Sequence, residues 1–179
     1  IHEIIPKERN LVEYLDIAKA GNPNAYNRKP FSKAEVKRLW DVKDTNIYYT
    51  VILMLIYSGC RIGELLDLKK ENVNLEERYF KITASKTEAG IRTAPIAEKV
   101  YPFFEYWYHR NDCEYLLSTP EGEHFKYRNY YDSYWMPLIT TLNMTHRPHD
   151  TRHTCISMLT VAGVSDKVIK KIVGHKGQG

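Results

Sequence analysis

Cysteine is scarce in this chain: Cys60, Cys113 and Cys155 are odd in number, far apart and never spaced as C-x-x-C. That pattern excludes a disulfide framework and a structural zinc finger, and it predicts buried thiols instead. Long apolar runs are missing too. The longest, residues 47–57, is about half of the ~20 residues that cross a bilayer, and no basic-then-apolar stretch opens the sequence. Glycine and proline, nine and eight of 179 residues, are too few for collagen-like order, and repeats and low-complexity tracts are absent. A cytoplasmic globular protein is the expectation, without a membrane partner.

Charge of one sign is also in short supply, with a net value of only +4. Its distribution is uneven: residues 121–179 carry eight basic and five acidic groups, and His146, His149, His153 and His175 lie there as well. That excess hints at a polyanionic partner.

Residues 1–29 mix charges, a short apolar stretch and the turn-rich Gly21-Asn22-Pro23-Asn24, and read as an interdomain linker or the tail of another domain. A compact domain is expected over residues 30–179. Ser32 with Glu35 forms a capping box ahead of Val36, Leu39 and Trp40 on one helical face. Residues 46–58 are apolar on nearly every side, which predicts a helix buried at the domain centre and ended by Gly59. A short helical stretch around residues 64–68 precedes two strands of an antiparallel sheet, 79–83 and 91–96, whose hairpin tip carries Lys86. Residues 98–110 and 127–142 are aromatic-rich helices containing Pro102 and Pro137. A helix through Cys155, Met158, Leu159 and Ala162 stops at Gly163, and Ser165 caps another that ends at Gly174.

Several residues in this frame carry chemistry. Arg61 follows Gly59-Cys60 at the end of a helix that must be buried, a poor place for a solvated charge. Either Glu64, one helical turn later, or a phosphate is expected to meet it, since phosphate oxygens suit the guanidinium fork. His149, Arg152 and His153 share the first turn of a predicted helix, where N–H groups favour an anion. His149 and His153 also have the spacing of a helical metal pair, but Asp150 stands where a zinc-protease helix requires Glu. His175 reads as a solvated histidine at a helix end, while Lys86 and Arg92 read equally well as edge-strand charges. Together these arginines, histidines and lysine form an inventory for stabilising and protonating a phosphodiester in transfer without a metal.

The order of these residues resembles the catalytic domain of tyrosine recombinases of the phage integrase type. The resemblance rests on Tyr57-Ser58-Gly59-Cys60-Arg61-Ile62-Gly63-Glu64-Leu65, on Ser85-Lys86-Thr87 with Gly90 and Arg92, on His149-Asp150-Thr151-Arg152-His153-Thr154 and on Val173-Gly174-His175. It covers about residue 30 to the end. It implies a mainly α fold with a small antiparallel β-sheet, and a bacterial or phage-encoded, site-specific recombinase that cuts and rejoins DNA through a 3′-phosphotyrosine intermediate. By resemblance, Arg61 and Arg152 hold the scissile phosphate, Lys86 protonates the leaving 5′ oxygen, and His149 and His175 complete the pocket. Glu64, Asp150 and His153 would hold arginines or backbone in place. The resemblance further implies double-stranded DNA as partner, a tetramer on that DNA, possible accessory DNA-bending proteins, and no cofactor or metal.

The family's nucleophilic tyrosine lies about nine residues beyond the last histidine, whereas Gly179 is four past His175, and none of the 14 tyrosines falls in that place. The expectation is a chain that binds DNA without cutting it. Tyr127, Tyr130, Tyr131 and Tyr134 fall outside the motif and are expected in helix packing or DNA-backbone contacts. Two other readings compete: a helix-turn-helix regulator using Lys167, Lys170 and Lys171, and a metal-dependent hydrolase using His146, His149, His153 and His175.

Overall fold

The computed structural model describes residues 29–175, so all but the last residue of the expected linker lies outside the described residues. In chain order the elements are α1 (Lys33–Val42), α2 (Tyr48–Ser58), α3 (Ile62–Leu66), β1 (Val73–Asn74), β2 (Tyr79–Ile82), β3 (Arg92–Pro95), α4 (Tyr101–Arg110), α5 (Tyr127–Tyr130), α6 (Met136–Thr141), α7 (His149–Val161) and α8 (Asp166–Val173), with short 3-10 turns between them.

The capping box forms as expected: Ser32 Oγ accepts from the Glu35 N–H and Glu35 Oε1 accepts from the Ser32 N–H. Val36 and Leu39 turn inward, and α1 packs on α2. Every residue of α2 is buried. With no charged side chain, this helix takes the centre, and α1, α4 and α7 pack around it. Gly59 then ends it in the left-handed conformation, φ 72°, its N–H donating to the Leu55 carbonyl. A β-carbon here would stand 2.6 Å from Cγ1 of Val173, so the bare backbone also lets the end of α8 close on the end of α2.

The sheet has three antiparallel strands in the order β1-β2-β3, with Phe80 opposite Val73 on one side and Ala94 on the other. Two strands were expected; β1 is two residues long, too short for alternation to mark it. A second departure lies at 127–142. The helix there is broken into α5 and α6 by a π-helical turn, Tyr131–Trp135. Pro137 lacks an N–H and crowds the carbonyl four residues back, and the wider turn just before it accommodates both. Pro102 sits in the first turn of α4, where no N–H is needed. Of the thiols, Cys60 and Cys155 are buried as predicted, but Cys113 is only half-buried. Among the described residues no helix is long and apolar enough to cross a membrane.

The architecture is therefore mainly helical with one small antiparallel sheet, and its packing brings four chain segments to one place. The end of α2, the start of α7, the end of α8 and the β2–β3 loop meet there, with α7 packed on α2 and α8, and α8 on β3.

Candidate phosphate-binding site

Arg152 lies behind this meeting point, in the first turn of α7, and is buried. Its Nη1 donates to the carbonyls of Gly59, at 2.9 Å, and Val173. Both are carbonyls at helix C-termini, the negative ends of α2 and α8, which lack helical partners. Its Nη2 is buried with no hydrogen-bond partner among the described residues. Burial pushes the Arg152 pKa down to about 10, with repulsion from Arg61 and Arg92 and a compensating pull from Glu64. Three guanidinium groups thus act on one carboxylate, an excess of positive charge that calls for an anion.

Glu64 is that carboxylate. Its Oε1 accepts from the Arg61 backbone N–H at 3.0 Å and from Arg92 Nη2 at 3.0 Å, and its Oε2 accepts from Arg61 Nη1 at 3.3 Å and Arg92 Nη1 at 3.2 Å. Burial alone would raise its pKa, but Arg92 and Arg61 hold the carboxyl below its ordinary value. The expected Arg61–Glu64 pairing is therefore present. Arg61 is nevertheless not enclosed, because its side chain is 39% exposed: the chain leaves the core at Gly59 and carries the side chain out into the clefts.

Arg61 stands between two clefts. One, of about 560 Å³, runs past Glu64 to Ser85, Lys86 and Thr87 of the β2–β3 loop. The other, of about 650 Å³, is walled by Tyr127, Tyr131, Arg147 and His149. Lys86 is exposed on the loop. His149 is exposed at the start of α7, its ring edge-on to that of His153 with 4.8 Å between centroids. The cleft disfavours charge on His149, and Arg152 and Arg61 add repulsion, so its pKa is lowered. His175, exposed just past α8, lines neither cleft; its N–H donates to the Lys170 carbonyl. The structure thus places Arg61 beside both Lys86 and His149, with Arg152 behind and His175 at the adjoining helix end.

Of the expected supporting residues, Glu64 holds arginines and Asp150 holds backbone. Asp150 accepts from the Arg147 backbone N–H at 3.1 Å and from His146 Nδ1 at 2.9 Å. The other His146 nitrogen meets Glu35 Oε1 at 2.8 Å, and Phe31 stacks on the ring at 3.8 Å. His146 is therefore a buried clasp between the starts of α1 and α7, with both nitrogens engaged, which removes it from the histidine set of the hydrolase reading. Among the described residues no three His, Cys, Asp or Glu side chains gather as a metal-holding group.

Two contributors lay outside the expected site. His146 shows in the sequence only as an i,i+4 partner of Asp150. Arg92 is not an edge charge: its side chain is 5% exposed. On a strand it shares a face with Ala94 and Ile96, both buried, and that period of two was the available signal. The tyrosines divide as well. Tyr130 is fully buried, Tyr134 packs on Tyr48 and Phe125, and Tyr127 and Tyr131 line the His149 cleft. The lysines expected to serve a helix-turn-helix are in part engaged, Lys170 pairing with Asp166 at 2.8 Å.

Comparison with known proteins gives the family and the fold. The model of the phage integrase family matches residues 29–178. Among curated proteins, tyrosine recombinase XerA of Pyrococcus horikoshii is 29% identical over 154 residues, 82% of this chain and 53% of that protein. The chain spans about half the length of the curated relatives it matches. Among solved structures, the Tn1549 transposon integrase in complex with a circular intermediate DNA superposes with a TM-score of 0.74 at 20% identity, over 89% of this chain and 61% of that one. A lambda integrase tetramer bound to a Holliday junction gives 0.69 at 14% identity, over 89% and 51%. These two likenesses establish the fold.

Proposed function

Because the chain belongs to the phage integrase family, we propose that it is the catalytic domain of a tyrosine-type site-specific recombinase, acting on double-stranded DNA without metal or cofactor. The observation that carries this reading is the buried Nη2 of Arg152, with no partner among the described residues, beside a single carboxylate, Glu64, that Arg61 and Arg92 already share. A phosphodiester supplies the missing anion and acceptor.

In this reading Arg61 and Arg152 hold the non-bridging oxygens. Charge that develops on them as an oxygen nucleophile adds is stabilised by donors already in place. The phenol of a tyrosine passes its proton to a neutral histidine of the pocket as its oxygen bonds to phosphorus, the bond to the 5′ oxygen breaks, and Lys86 supplies the proton that leaves with that oxygen. A 5′ hydroxyl of another strand reverses the step and reseals the DNA. His149 and His175 hydrogen-bond the phosphate and help move protons. Glu64 orients Arg61, Asp150 fixes the turn into α7 through Arg147 N–H and His146, and His153 packs against His149. The nucleophile in this proposal is a tyrosine about nine positions past His175, in place of any of the tyrosines within these 179 residues. Assembly as a tetramer on recombination sites, with DNA-bending accessory proteins, belongs to the same proposal, as does action in a bacterial cytoplasm.

The test begins by selecting duplexes that this chain retains from a random library. The full-length protein is then incubated with the selected site carrying a nick. A denaturant-resistant protein–DNA adduct, lost in Arg61→Ala and Arg152→Ala, is expected; binding without any adduct would leave a DNA-binding protein and overturn the recombinase reading.

A further inference from the structure

Arg92 makes four hydrogen bonds, to three different segments. Its Nε donates to the Ile172 carbonyl at 2.8 Å, Nη1 to the Gly90 carbonyl at 2.6 Å and to Glu64 Oε2 at 3.2 Å, and Nη2 to Glu64 Oε1 at 3.0 Å. A guanidinium has five N–H groups, so little donor capacity remains for a ligand. With a side chain only 5% exposed, Arg92 is enclosed.

Each bond reaches the backbone or neighbour of a residue assigned to the phosphate. Glu64 also binds the Arg61 N–H and guanidinium. Gly90 closes the 3-10 turn at the base of the loop that carries Lys86. Ile172 precedes Val173, whose carbonyl holds Arg152. Gly174, next to His175, lies so close that a β-carbon on it would stand 2.6 Å from Arg92 Nη1. The short turn at Gly90 is itself tight, since a β-carbon there would collide with Ser85 Oγ.

We propose that Arg92 is a positioning residue that sets the Lys86 loop against Arg61 and the His175 turn without itself touching DNA. This rests on the recombinase reading of the site. The planar fork is what the role requires: lysine keeps the charge but replaces four fixed directions by one mobile ammonium. A displacement of about 1 Å at a reacting group costs on the order of 10² in rate. Because the Arg92–Gly90 bond holds the base of the loop that carries Lys86, the loss falls mainly on protonation of the leaving oxygen.

Two measurements test this. Amide hydrogen exchange on the 179-residue chain needs no activity: in Arg92→Lys, exchange accelerates together in 59–65, 83–92 and 170–175 and is unchanged in α1 and α4. Acceleration confined to 83–92, or none, overturns the strut. In the full-length protein, Arg92→Lys lowers the cleavage rate at saturating duplex on the order of 10²-fold with less than about 3-fold change in affinity. At least a tenfold part of that loss returns on a substrate with sulfur at the 5′ bridging position, because a thiolate leaves without a proton. Equal loss on both substrates, or a native rate measured below the melting transition, contradicts the positioning role. Gly174→Ala, whose β-carbon would press on the Arg92 guanidinium, reproduces both patterns. Failure of the native protein to cleave removes the recombinase reading, while the exchange result still decides the strut.

Discussion

The Gly59 carbonyl accepts from Nη1 of Arg152 at 2.9 Å, joining residues 93 apart in sequence. The central helix therefore ends on the side chain that the site depends on, and the left-handed glycine that stops the helix also aims the carbonyl. Gly59→Ala places a β-carbon against Val173 and Cys155 Sγ at a positive φ. It is expected to destabilise the fold by about 2 kcal/mol or more, from overpacking and backbone strain together. Urea denaturation measures this; an unchanged midpoint contradicts the close approach of α2 and α8.

Arg152→Ala in the full-length protein is expected to slow strand cleavage ~10²- to 10³-fold. Affinity for the selected duplex changes less than about 3-fold, because one phosphate contact among many is lost. A gel-shift titration beside a single-turnover cleavage assay separates the two effects. Loss of affinity with a normal rate of cleavage in the bound fraction argues against the assignment.

The His146 clasp makes stability depend on pH. Burial opposes its charge, but the carboxylates of Asp150 and Glu35 prevail and raise its pKa; Glu35, raised by burial, is brought below its ordinary value by His146. A raised histidine pKa contributes stability that is complete below the unfolded value and lost as pH rises through the folded one. The lowered Glu35 contributes stability that is present above its unfolded value and lost as pH falls through the folded one. His146→Gln is therefore expected to cost about 3 kcal/mol near pH 6, a difference that narrows as the solution is made alkaline. Melting curves of both proteins across that range check the direction; a gap that widens with pH contradicts the charged clasp.

Cleavage by the full-length protein is expected to persist in excess EDTA. Guanidinium groups supply the positive charge, and both His146 nitrogens are engaged by carboxylates. If chelation abolished cleavage and added zinc restored it, the histidines would need a different role.

Much of the framework was readable from local chemistry. The capping box at Ser32, the uninterrupted apolar surface of 46–58 and the glycine stops at 59 and 174 each act within a few residues, and each appears as expected. The resemblance named Arg61, Lys86, His149 and Arg152 by order along the chain, and folding sets Arg61, Lys86 and His149 along two clefts with Arg152 buried behind them. What escaped was set by distant partners. Arg92 reads as a surface charge until Glu64, 28 residues earlier, and Ile172, 80 residues later, are brought to it. His146 reads as one of four candidate hydrolase histidines until Glu35 arrives from a segment 111 residues away. The π-helical turn also depends on tertiary packing, since Trp135 must reach the core and the His146 carbonyl, at 3.0 Å, while Pro137 follows.

The central claim is that Arg61 and Arg152 hold a phosphodiester for a tyrosine outside these 179 residues. The most direct measurement traps the adduct on a nicked, selected duplex and maps the DNA-linked peptide by mass spectrometry, using this chain and the full-length protein side by side. The account predicts no adduct from the 179-residue chain and, from the full-length protein, a phosphotyrosyl linkage close to nine positions past His175. An adduct on any of the 14 tyrosines present here, Tyr127 or Tyr131 in the His149 cleft above all, would contradict it.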